Sequence, residues 1–160
     1  SIPDKGTDFS IYLPTIEGNP APKQNKDEMT SILEGNETIL FVDDEKAIRI
    51  SSKKILEGYG YQAHAFENGI DAFKEFEKNP RQFDLVITDM TMPGMTGIEL
   101  IQKIQEIQPD IPTLICSGFS GSMNEEKTIQ MGVSKYLMKP VLKNELASSI
   151  RELIDKKIPV

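Results

Sequence analysis

Three aspartates, a serine and a lysine carry the chemistry in this chain. Asp43 and Asp44 are adjacent in "LFVDDE". Asp89 follows "FDLVIT" and precedes "MTMPGMTG", where Pro93-Gly94 and Gly97 turn the backbone away and leave the carboxylate open. Ser117 ends "LICS" before Gly118, and Lys139 ends "KYLMK" before Pro140. Three carboxylates held close together repel one another unless a cation compensates. A hard divalent ion with oxygen ligands would do so, and Mg²⁺ on one or two carboxylates is its usual form in phosphoryl chemistry. Lys139 adds a second positive charge. Such a site can neutralise the oxygens of a phosphoryl group in transfer, with Ser117 hydrogen-bonded to one of them. Asp89 is the best-placed nucleophile, and its product would be an aspartyl phosphate.

Those residues are useful only if the fold gathers them. "TILFV" is a continuous apolar run of strand length ending at Asp43-Asp44. "EKAIRISSKKILEGYG" reads as a helix with Ile48, Ile55 and Leu56 on its stripe and Gly58 and Gly60 as stops. "YQAHAF" reads as a strand. "NGIDAFKEFEKNP" is a helix capped by Asn68, with Ile70, Phe73 and Phe76 inward. "FDLVIT" is a buried strand, and "GIELIQKIQEIQ" a helix with Leu100, Ile104 and Ile107 on one face. "IPTLICSG" is the fourth strand. "SMNEEKTIQM" has Ser122 and Glu125 at capping-box spacing and a weak stripe. "SKYLMKP" is the fifth strand, and "LKNELASSIRELIDKK" places Leu142, Leu146, Ile150 and Leu153 on a helix.

Five strands alternating with five helices require crossover connections and a parallel sheet. The expected fold is α/β: a doubly wound, three-layer αβα domain of flavodoxin-like strand order 2-1-3-4-5. Ligands in such sheets sit beyond the carboxyl ends of the strands, at the switch in strand order. Strands one, three, four and five end there in Asp43-Asp44, Asp89, Ser117-Gly118 and Lys139-Pro140, so the whole set converges on one mouth.

Composition narrows the classes. The chain has 160 residues, 38% hydrophobic and 27% charged, the profile of a globular domain. Its net charge is −7 and it has no basic cluster beyond Lys156-Lys157 at a helix end, which argues against nucleic acid. No apolar run approaches the ~18 residues of a membrane span, and "SIPDKGTDFS" is not a secretory signal. Lacking an initiator Met, the chain is expected to be a piece of a longer protein. One cysteine, Cys116, excludes an internal disulfide, and the simplest setting is the cytoplasm. In residues 1–38 three lysines face seven acidic residues. Residues 15–37, rich in Pro, Asn, Gly and charge, read as a linker, and 38–157 as the main domain.

In their order and on their elements, "LFVDDE", "DLVITDMTMPGMTGIEL", "LICSG" and "KYLMKP" resemble the receiver domain of two-component response regulators over roughly residues 38–157. The resemblance implies that Asp89 accepts phosphate from a phosphohistidine. It implies that Asp44, Asp89 and the Thr91 backbone carbonyl ligate Mg²⁺ and that Asp43 acts through water. Ser117 and Lys139 would hold the phosphoryl oxygens, and Tyr136 would be the switch residue that follows Ser117. Thr91 and Phe119 occupy the positions that tune dephosphorylation. The partners implied are a histidine kinase dimerisation and phosphoacceptor domain, in cis or in trans, and a histidine phosphotransfer protein.

The tail "DKGTDFSIYLP" resembles the last strand of a histidine kinase ATP-binding domain, so residues 1–14 are read as that strand and the parent as a hybrid histidine kinase. The ATP-lid glycines and the phosphoacceptor-helix histidine are missing, so this chain would catalyse only its own phosphorylation and dephosphorylation. His64, in a strand without an acidic neighbour, and Cys116, in a buried strand, read as structural. Two rival readings stay open. A haloacid-dehalogenase-type phosphatase would carry its nucleophile after strand one in D-x-D. A pseudo-receiver would only present a surface.

Overall fold

The computed structural model describes residues 34–118 and 125–157, with Ser10 and Tyr12 besides. In chain order the elements are β1 (Thr38–Val42), α1 (Lys46–Gly58), β2 (Gln62–Phe66), α2 (Gly69–Lys78), β3 (Leu85–Asp89), α3 (Gly97–Ile107), β4 (Thr113–Ser117), α4 (Glu125–Gln130), β5 (Lys135–Met138) and α5 (Lys143–Lys157). The strands form one parallel sheet of order β2-β1-β3-β4-β5, the doubly wound order expected. Apart from Ser10 and Tyr12, which carry no regular secondary structure, the segment 1–14 read as a strand lies outside the described residues, as do the Ser122 cap and Phe119.

Side chains alternate across the sheet and fill a core on each face. Ile39, Phe41, Ile87, Leu114 and Cys116 pack with Leu56 of α1 and Leu146, Ile150 and Leu153 of α5. Leu40, Val42 and Val86 face the other way, onto Ala72 and Phe76 of α2 and Leu100 and Ile104 of α3. Because both faces are covered, β3 and β4 are buried along their whole length. The edge strands β2 and β5 are only partly buried.

Three residues expected inward are not. Ile70, Ile107 and Leu142 are exposed. On α2 the buried residues are Gly69, Ala72 and Phe76, so the inward stripe is rotated away from Ile70. Ile107 is the last residue of α3, past the point where the helix contacts the sheet, and Leu142 precedes α5.

Local signals set the ends of the helices. The Asn68 side chain accepts from Asp71 N–H at 2.8 Å and caps α2. Thr96 and Glu99 form a reciprocal capping box at the start of α3. After α1 the chain reverses at Gly60, whose φ is +90°; a Cβ there would lie 2.4 Å from Gly35 O.

The folded unit reaches back beyond Thr38 to Glu34. Gly35 N–H donates to Tyr59 O at 2.9 Å. Arg151 of α5 grips both Glu37 carboxylate oxygens, at 2.8 and 3.0 Å, and Asp155 at 2.8 Å. Thr38 N–H donates to Asp84 Oδ2 at 2.9 Å. No helix among the described residues is long and apolar enough to cross a membrane.

Candidate functional site

The mouth lies where β1, β3, β4 and β5 end together. Asp43 follows β1 and is buried, with only 1% of its surface exposed. Its Oδ1 accepts from Glu45 N–H at 2.9 Å, and its own N–H donates to Phe66 O on β2 at 3.1 Å. Asp89 is the last residue of β3. Its backbone belongs to the sheet while its carboxylate reaches the mouth, where Oδ2 accepts from Thr91 N–H at 2.7 Å.

Lys139 closes the arrangement from the far side. Its ammonium lies 2.8 Å from Asp43 Oδ2 and 2.5 Å from Asp89 Oδ1. Its backbone N–H donates to Ser117 O at 2.8 Å, which ties the ends of β4 and β5 together. The Lys139-Pro140 peptide is cis. Burial disfavours the ammonium, but hydrogen bonds to Asp43 and Asp89 outweigh it and hold the Lys139 pKa above its usual value.

Of the residues expected here, Asp43, Asp89 and Lys139 are in direct contact. Ser117 is buried beside them. Asp44 and Thr91 are exposed at the rim. Tyr136 lies elsewhere, half-buried against Met90, Ile98, Ile101, Ile115 and Val133. Cys116 is buried, and burial pushes its thiol up to about 12, against the pull of Lys139. It is therefore a core side chain and no nucleophile. His64 stacks edge-on against Phe83 and lies 3.4 Å from Gln82 Nε2, a packing role as expected.

The donors suit a hard cation. The carboxylates of Asp43, Asp44 and Asp89 and the Thr91 carbonyl offer only oxygen donors, the kind such an ion prefers. Two of the carboxylates already converge on one positive charge, Lys139 Nζ. Among the described residues no three acidic, histidine or cysteine side chains cluster at ligand spacing. Mg²⁺ asks for less, since it commonly takes one or two carboxylates and keeps several waters.

Two residues shape this mouth beyond what the sequence reading gives them: Gly97, read there only as part of the turn after Asp89, and Thr96. Gly97 begins α3 beneath Asp89, and its N–H donates to Met90 O at 3.0 Å. A Cβ there would lie 2.2 Å from the Asp89 carbonyl oxygen and 3.0 Å from Thr88 Cγ2. The second is Thr96, whose capping-box partner Glu99 stands three residues on, in the readable string "TGIE". That cap fixes where α3 begins, just beyond the Gly94 turn, whose φ is +80°.

A doubly wound sheet with an acidic, lysine-bridged mouth at its carboxyl end defines the class of protein. The response regulator receiver domain family matches residues 39–151, and the chain belongs to it. It is a receiver domain of two-component signal transduction. Over 160 residues it is 29% identical to the sensor kinase CckA of Brucella abortus, covering 96% of this chain and 17% of that kinase's length. It is 30% identical over 122 residues to sporulation initiation phosphotransferase F of Bacillus subtilis, covering 76% of this chain and 97% of that protein. A solved receiver domain from Clostridium thermocellum superposes with a TM-score of 0.72 at 30% identity, covering 76% of this chain and 96% of that one. Membership sets aside the haloacid-dehalogenase reading.

Proposed function

We propose that Asp89 is the phosphoacceptor of this receiver. The supporting observation is the fixing of both its carboxylate oxygens, Oδ2 by Thr91 N–H and Oδ1 by Lys139. An Asp89 oxygen attacks the phosphorus of a phosphohistidine in line with the departing imidazole nitrogen. The new O–P bond forms as the N–P bond breaks, and the imidazole takes up a proton as it leaves. Lys139 stands where negative charge gathers on the transferring group, and the Ser117 hydroxyl is buried beside it. Asp43, Asp44, Asp89 and the Thr91 carbonyl would hold Mg²⁺, which when bound neutralises phosphoryl oxygens. Tyr136, packed against Met90 and Ile115, carries the change towards the surface formed by α4 and β5.

The test is intact mass after incubation with acetyl phosphate and Mg²⁺, beside Asp89→Asn. The expected result is a base-labile gain of one phosphoryl group, lost in the variant and without Mg²⁺. No gain with Mg²⁺ bound would leave the pseudo-receiver.

The parent of the chain is, on this reading, a hybrid histidine kinase. The match to the Brucella sensor kinase covers 96% of this chain, whereas that to the Bacillus phosphotransferase covers 76%. The kinase-like similarity thus extends into the tail. The phosphodonor would be the parent's phosphoacceptor domain, in cis or in trans, and a histidine phosphotransfer protein the next acceptor. All of this belongs in the cytoplasm. Reading the coding sequence upstream of Ser1 tests the origin: an ATP-lid and a phosphoacceptor histidine are expected there, and a different domain would refute it.

A further inference from the structure

Arg49, in the first turn of α1, folds back beneath the β1–α1 loop. Its Nη1 donates to the Asp43 carbonyl at 2.7 Å and to the Asp44 carbonyl at 3.1 Å. Its Nη2 lies 3.4 Å from Glu67 Oε2 in the β2–α2 loop. A cation in the first turn of a helix works against the helix dipole, so Arg49 does not serve the helix. The contact to Glu67 is long and that carboxylate is 70% exposed, which makes it a weak pair. What remains is the grip on two successive carbonyls.

Those carbonyls belong to the two aspartates of the mouth. One guanidinium therefore fixes the two peptide groups on either side of Asp44, the first of which joins it to Asp43. It leaves the carboxylates themselves to other partners: Asp43 is held by Glu45 N–H and Lys139, and Asp44 is exposed. The charge of arginine is permanent, so this brace persists at every working pH.

We propose that Arg49 is a positioning residue for the cation site, holding the Asp43-Asp44 backbone so that both carboxylates are preset for a divalent ion. The inference rests on the reading of this mouth as a Mg²⁺ site. A group that orients ligands from behind sets affinity by preorganisation, not by contact with the metal.

The experiment compares the whole chain with Arg49→Gln, Arg49→Lys and Glu67→Gln. Mg²⁺ affinity is read by calorimetry at a temperature where all four are folded, and the Asp44 and Glu45 amide shifts are followed by NMR. Arg49→Gln should weaken Mg²⁺ binding about tenfold and move both amides before any metal is added. Arg49→Lys should recover part of the loss, since one ammonium can still reach one carbonyl. Glu67→Gln should bind as the wild type does. Arg49→Gln binding like the wild type, or falling no further than Glu67→Gln, overturns the role of Arg49 alone. A wild type that binds no Mg²⁺ overturns instead the reading of the mouth on which it rests.

Discussion

The ammonium of Lys139 lies 2.5 Å from Asp89 Oδ1, so the residue after β5 is tied to the last residue of β3 across the width of β4. The same ammonium serves Asp43, 2.8 Å away. Both carboxylates are almost wholly buried and need a counter-charge at that depth. Lys139→Met removes it. Stripping one partner from a buried ion pair costs about 3 kcal/mol, and this mouth is open on one side, so about 2 kcal/mol is expected here. Urea unfolding in EDTA should show that loss, and Mg²⁺ should restore a larger share in the variant than in the wild type. Equal unfolding midpoints would show that Lys139 is not what compensates Asp43 and Asp89.

Gly97→Ala tests how closely α3 must approach Asp89. The new methyl would sit 2.2 Å from the Asp89 carbonyl oxygen, which is backbone and cannot swing aside. Either α3 retreats or the end of β3 moves. Overpacking of this kind costs about 2 kcal/mol. Because the moving atom belongs to Asp89, phosphorylation from acetyl phosphate should slow by more than the stability loss explains, measured well below the melting temperature. A variant that is less stable but phosphorylated at the wild-type rate would separate Gly97 from the chemistry.

How much of this was readable depends on the distance over which each signal acts. The strands and the polar residues at their ends follow from apolar runs that stop at charged or hydroxyl residues, and those runs are local; the alternation of strand and helix gives the parallel sheet, while the order 2-1-3-4-5 was a choice among doubly wound orders. The Asn68 cap is local too. The helix faces were read less well, because Ile70 and Phe76 lie on one idealised stripe while the sheet takes Ala72 and Phe76. The steric need for Gly97 depends on the path of β3, and the grip of Arg49 on its loop depends on a backbone turn. Neither has a pattern of its own. The latch of Arg151 onto Glu37 joins residues at opposite ends of the domain, beyond the reach of any periodicity.

Glu152 offers an acid-side test. Lys135 and Lys156 both donate to it, and the Lys135 contact ties β5 to α5. The hydrogen bond from Lys135, then that from Lys156, lowers the carboxyl to about 2. A depressed folded pKa contributes stability above the ordinary glutamate value of about 4.3. That contribution fades as pH falls through the folded value near 2. The pair is solvent-exposed, so Glu152→Gln should change stability by under about 1 kcal/mol. Carboxyl NMR titration should nonetheless find Glu152 among the last acids to protonate. An ordinary midpoint would show that the two lysines do not hold it in solution.

Tyr61 tests the latch at the other end of the sheet. It is 2% exposed and packs beside Gly35, where an added Cβ would lie 2.4 Å from its Cε1. Burial pushes the phenol up to about 12; Arg151 pulls it down and Glu37 pushes it further up. The folded pKa is raised above the ordinary tyrosine value of about 10. The stabilisation is therefore complete below about pH 10 and is lost as pH climbs from there towards about 12. An ultraviolet titration should show a phenol step near pH 12, and Tyr61→Phe should abolish it. If Tyr61 instead ionises near the ordinary tyrosine value of about 10, the Glu34–Glu37 segment does not stay latched, and the folded unit begins at Thr38.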